Sequence, residues 1–159
     1  MIATMSFPKA PDFNLQNQDG IQVSLSDCLK TGPVLLVFYP GDFTPVCTKQ
    51  LCGYRDQFAD FEKFGVRILG ISHNSVEEHA KFRKENGFSF DLLSDRDKSV
   101  YKAYGAGAAI FLGLVGRAVV LVNAKQEIVF KHVEITPLSH RRADEIIENM
   151  EKLRATGAL

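Results

Sequence analysis

Cysteine is scarce in this chain, with Cys28, Cys47 and Cys52 the only three in 159 residues. So few, and an odd number, do not make a secreted disulfide framework. They point to reactive or incidental thiols in a reducing compartment. No Cys-x-x-Cys occurs, which argues against a dithiol–disulfide exchange protein. Charge of one sign is also missing: 19 Lys and Arg balance 19 Asp and Glu. That excludes the basic surface a nucleic-acid partner needs, and no polybasic stretch suits an anionic membrane. No apolar run approaches the roughly 20 residues of a spanning helix. The first nine residues have no charged segment leading into an apolar one, so no secretory signal is read and a cytoplasmic location is expected. His73, His79, His132 and His140 lack metal-ligand spacing among themselves or with the cysteines, so no metal is expected. Gly41, Gly105, Gly107, Gly113 and Gly116 form no phosphate-binding pattern and read as turn residues.

What remains is an ordinary globular composition, 45% hydrophobic and 24% charged, in a length that suits one domain over residues 1–159. Phe13 to Leu25 reads as a hairpin around Gln18-Asp19-Gly20. Val34 to Tyr39 is the most apolar run and reads as a parallel strand covered on both faces. Pro45 to Phe64 carries Leu51, Tyr54, Phe58 and Phe61 at helical spacing, predicting one long helix. Val66 to Ile71 is the next strand. Ser75 to Glu85 is a polar helix ending at Asn86-Gly87. Asp91 to Ser94 is a short strand and Lys98 to Tyr104 a short helix. Gly105 to Gly116 is expected to be a loop. Arg117 to Val122 and Glu127 to Val133 form a second hairpin, and Ser139 to Leu153 a final helix. This order predicts an α/β fold of thioredoxin-like type, with an N-terminal β-hairpin and a mixed central sheet flanked by helices.

The chemistry gathers at Tyr39-Pro40-Gly41-Asp42-Phe43-Thr44-Pro45-Val46-Cys47. Thr44 suits an N-cap and Pro45 the first helical position. Cys47 is then the third helical residue, where the helix dipole and unpaired N–H groups lower a thiol's pKa. Thr44 should face it across the first turn, able to donate to a thiolate or to position an oxygen substrate. Pro40 can shield the sulfur from water. Thiolate attack on a peroxide bond also needs donors for the charge developing on oxygen, and Arg117 is the candidate cation. Phe82, Phe88 and Phe90 read as core or as an apolar lining. Cys28 reads as incidental, and His73 as a solvated residue.

Pro40, Thr44 and Cys47 match the Pro-x-x-x-Thr-x-x-Cys signature, and the chain resembles the peroxiredoxins. The stretch from Phe38 through Cys47-Thr48-Lys49-Gln50-Leu51-Cys52-Gly53-Tyr54-Arg55-Asp56, with Leu69-Gly70-Ile71-Ser72 and Leu92-Leu93-Ser94-Asp95, is similar to the bacterioferritin-comigratory (PrxQ) subfamily. The resemblance implies reduction of hydrogen peroxide and organic hydroperoxides, with Cys47 peroxidatic and no metal or organic cofactor. It implies a sulfenic acid resolved by Cys52 as an intramolecular disulfide, recycling by thioredoxin or a similar dithiol, and a monomer or weak homodimer. Arg117 maps onto the family's active-site arginine, although Arg117-Ala118-Val119-Val120-Leu121-Val122-Asn123 stands where relatives often read Arg-x-Thr-Phe-x-Ile-Asp. Gln50 stands where many relatives have Glu.

Five residues of α-helix separate two Cα atoms by roughly 8–9 Å, and a disulfide needs about 7 Å or less. The Cys47–Cys52 bond therefore requires the helix to unwind. Two alternatives stay open: a one-cysteine peroxidase resolved by an external thiol, and a non-enzymatic thiol redox sensor.

Overall fold

The computed structural model describes residues 6–106, 117–134 and 143–159, except the side chains of Val46 and Cys47. The residues expected to form the 105–116 loop, from 107 on, and the start of the final helix, 139–142, lie outside the described residues.

Among the described residues, seven strands form one mixed sheet. They are β1 (Asn14–Gln16), β2 (Gln22–Ser24), β3 (Val34–Phe38), β4 (Arg67–Ser72), β5 (Asp91–Ser94), β6 (Ala118–Val122) and β7 (Ile128–Val133), in the spatial order β2-β1-β5-β4-β3-β6-β7. β3, β4 and β5 run parallel, while β6 runs antiparallel to both β3 and β7. The N-terminal hairpin adds to the β5 edge through Gln16 opposite Ser94. Its turn is the expected one: Gly20 takes a φ of 75°, and Asn17 Oδ1 accepts from the amides of Asp19 and Ile21. This is the thioredoxin-like arrangement with an N-terminal hairpin.

β3 is buried along its whole length, which explains its unbroken apolarity. Its alternate residues feed two cores. Val34, Leu36 and Phe38 meet Leu25, Cys28 and Leu29 of α1 (Leu25–Leu29) and Tyr101 of α5 (Ser99–Ala103) on one face. Leu35, Val37 and Tyr39 meet the helices of the other face: α2 (Pro45–Asp56), α3 (Phe58–Lys63), α4 (Val76–Asn86) and α6 (Ala143–Ala155). Each such fully buried side chain contributes about 1.5–3 kcal/mol of hydrophobic stabilisation.

The helix expected from Pro45 to Phe64 is two helices. Gln57, at φ −107° and ψ 19°, ends α2 and begins α3. Leu51, Tyr54 and Phe61 are all fully buried and Phe58 packs beside them, so the apolar spacing runs on across the break. α4 begins on a full capping box between Ser75 and Glu78 and ends at Gly87 in the left-handed conformation.

Candidate active site

The carboxyl ends of β3, β4 and β5 hold the site. β3 delivers the chain at Tyr39, the segment 40–44 turns, and α2 starts at Pro45 with Cys47 as its third residue. Thr44 is the N-cap residue, with φ −82° and ψ 145°. Its hydroxyl makes no capping bond to the helix; it donates to Gly41 O at 3.4 Å, and Thr48 N–H closes the first helical bond on Thr44 O at 2.9 Å. The first turn of any α-helix leaves N–H groups with no partner inside the helix. Those of α2 point toward the residues just before it, and favour negative charge there. Pro40 is half-buried, and Thr44 and Pro45 are exposed.

Gln50 and Tyr54, four residues apart, share one face of α2. Arg117, the residue before β6, meets that face. It is 2% exposed, and its Nη1 donates to Gln50 Oε1 at 3.0 Å. Gln50 is itself buried and also bonds Tyr54, whose hydroxyl burial holds far above its usual pKa, with the Gln50 bond offsetting part of that rise. The neutral amide at position 50 accepts from the guanidinium and orients it, as a glutamate carboxylate also would.

Cys52 is half-buried at the contact between α2 and α4, its Sγ 3.9 Å from Asn86 Oδ1. Nearby, Arg55 Nη1 donates to Asn86 O at 2.7 Å, tying the last turn of α2 to the end of α4. Cys47 and Cys52 lie in the same unbroken helix, and Cys52 is a free thiol. Cys28 sits in the α1 core, on the other face of the sheet from Cys52, and burial pushes its thiol up. His73 is half-buried rather than solvated, and burial moves its pKa down.

Sequence reading missed His79. It lies on the helix read as polar, yet its side chain is fully buried and pairs through Nδ1 with Asp42 Oδ2 at 2.7 Å. Its Nε2 faces Leu93 O at 3.1 Å. Asp42 also accepts from the Tyr39 hydroxyl at 2.6 Å, and its amide donates to Asn74 Oδ1 at 2.8 Å. The partners lie 37 residues apart, so no local spacing signals them. Phe43, next in the chain, is left-handed with φ 64°, a conformation that costs an ordinary residue about 1–2 kcal/mol. Its 46%-exposed ring packs edge-on against Phe82 at 5.1 Å, the start of an aromatic series through Phe88 to Phe90. Those three phenylalanines are core residues; Phe43 is the one that reaches the surface.

Among the described residues no group of three or more His, Cys, Asp or Glu side chains is arranged to hold a metal ion. A cleft of about 350 Å³ between Phe58, Arg67 and Asp91 lies at the amino ends of β4 and β5, the end of these strands away from the site.

The AhpC/TSA family profile matches residues 8–131. The chain belongs to that family. Among curated AhpC/TSA relatives, the chloroplastic peroxiredoxin Q of Oryza sativa subsp. japonica is 45% identical over 108 residues, 68% of this chain and 49% of the relative, so the match spans about half of that protein. Solved family structures agree along nearly the whole length. Peroxidoxin BcpB of Mycobacterium tuberculosis superposes with a TM-score of 0.82 at 30% identity, over 93% of this chain and 97% of the other. The bacterioferritin comigratory protein of Xanthomonas campestris, whose structures are described for alkyl peroxide reduction, gives 0.80 at 25% identity over 95% and 98%.

Proposed function

We propose that this protein is a thiol peroxidase that reduces hydrogen peroxide and organic hydroperoxides. One arrangement carries the reading: Thr44 is the N-cap residue of α2, Cys47 is its third residue, and buried Arg117 is fixed on Gln50 one turn further. The Cys47 thiolate attacks one peroxide oxygen, and the O–O bond breaks. The sulfur is oxidised to a sulfenic acid, while the other oxygen takes a proton and leaves as water or an alcohol. The helix N-terminus and Arg117 stabilise the thiolate and the charge developing on the leaving oxygen. The Thr44 hydroxyl orients the peroxide, and Pro40 limits access of water.

The Cys52 thiol then displaces hydroxide from the sulfenic sulfur. A disulfide forms and water leaves. A dithiol protein of thioredoxin type reduces the disulfide by exchange. Both cysteines occupy one helix in the reduced form, so resolution proceeds through unwinding of α2. Thioredoxin-coupled turnover tests the scheme: Cys52→Ser retains peroxide reduction in a single turnover and loses coupled cycling. Full coupled activity in that variant supports the one-cysteine route through an external thiol.

A further inference from the structure

The peroxidase reading leaves a buried ionisable pair unused, and resting on that reading we infer that His79 is a positioning residue for the reaction at Cys47. Asp42 lies two residues before the N-cap Thr44 and five before Cys47. The bonds that fix it come from Tyr39, three residues earlier, and from two distant parts of the fold. Tyr39, at the end of β3, donates to one carboxylate oxygen, and His79 of α4 holds the other. Asn74 holds the Asp42 amide, and Asn74 is itself fixed: Ser72 donates to its Oδ1, Ser94 donates to its carbonyl, and its own Nδ2 donates to Glu78. The segment 40–44 is thereby locked to the carboxyl ends of β4 and β5 and to the first turns of α4.

Hydrogen-bond accounting defines what His79 supplies. The Leu93 carbonyl can only accept, so His79 Nε2 carries a hydrogen. Asp42 Oδ1 already accepts from Tyr39. One further proton therefore occupies the Nδ1–Oδ2 bond, whichever atom it rests on, and the pair is neutral as a whole. Without His79, Asp42 becomes a buried carboxylate held by Tyr39 alone on its side chain, close in sequence to the thiolate. Gly70 protects the same arrangement. A Cβ there would lie 2.8 Å from Leu92 Cδ2 and 3.4 Å from the Tyr39 ring. Left-handed Phe43, between Asp42 and Thr44, is the joint that this clamp keeps in place.

Two near-isosteric substitutions separate positioning from mere packing. In His79→Asn the amide nitrogen can take the place of Nδ1 and still donate to Asp42. In His79→Gln it can take the place of Nε2, bonding Leu93 and abandoning Asp42. The rate of Cys47 oxidation by hydrogen peroxide, followed by stopped flow on variants that circular dichroism shows to be folded, is expected to fall ~30-fold or more for Gln and only about 3-fold for Asn. A packing role predicts the reverse order, because Asn leaves the larger void. Iodoacetamide alkylation of Cys47 at fixed pH, which needs no peroxide, is expected to give the same order. The proposal is overturned if His79→Gln reacts as fast as wild type, or if His79→Asn is the slower of the two. Should neither fold, Tyr39→Phe takes their place. It is expected to slow the reaction about 5-fold, and a wild-type rate would overturn the clamp. Wild type that does not react with peroxide while alkylation keeps the predicted order would overturn the peroxidase reading and leave the clamp standing.

Discussion

Arg117 donates to Gln50 at 3.0 Å, and both side chains are buried against α2 one helical turn beyond Cys47. Gln50 is a neutral partner that orients the guanidinium. Gln50→Ala removes a hydrogen bond to a charged donor and is expected to slow peroxide reduction roughly 10- to 100-fold. Gln50→Glu keeps an acceptor there and is expected to cost only a few-fold. Stopped-flow rates on the two variants check this; equal rates for Gln50→Ala and wild type would remove Gln50 from the site.

The bond between Arg55 and Asn86 O anchors the far end of α2. Disulfide formation between Cys47 and Cys52 should therefore unwind the first turns and spare the last. Hydrogen exchange over residues 45–55 is expected to speed up in the oxidised protein up to about Cys52, with protection retained near Arg55. Equal protection throughout in both redox states would contradict unwinding.

The buried thiol of Cys28 makes a separate prediction. Burial raises its pKa in the folded state, so the folded protein holds this proton to higher pH than the unfolded chain does. Its contribution to stability is fully present below the ordinary thiol range, near about pH 8.5, and declines as pH rises through it. Cys28→Ala is expected to flatten the loss of stability above that pH, read as denaturation midpoints, and to leave peroxide reduction unchanged. A reaction of Cys28 with Ellman's reagent as fast as that of Cys52 would contradict its burial.

These residues also show what sequence can and cannot reveal. β3 was legible because a strand buried on both faces must be apolar throughout. The start of α2 was legible because Thr44-Pro45 obeys rules local to a few residues. The break at Gln57 was not, since Leu51, Tyr54, Phe58 and Phe61 keep helical spacing through it, and periodicity registers the face rather than the bend. Thr44 was placed correctly as the cap residue, but its hydroxyl turns to Gly41, a choice set by the loop. Arg117 was read as the candidate cation from the chemistry and then from the family resemblance, whereas its bond to Gln50 joins residues 67 apart. His79 was hidden for the same reason. Its helix is polar outside, and only the fold brings Asp42 to its inner face.

Stopped-flow oxidation by hydrogen peroxide, comparing wild type with Cys47→Ser, tests the central claim most directly. The account predicts a rapid second-order reaction in wild type, far faster than that of free cysteine, and no such reaction in Cys47→Ser. Undiminished peroxide reduction by Cys47→Ser, or a wild-type reaction as slow as free cysteine's, would contradict it.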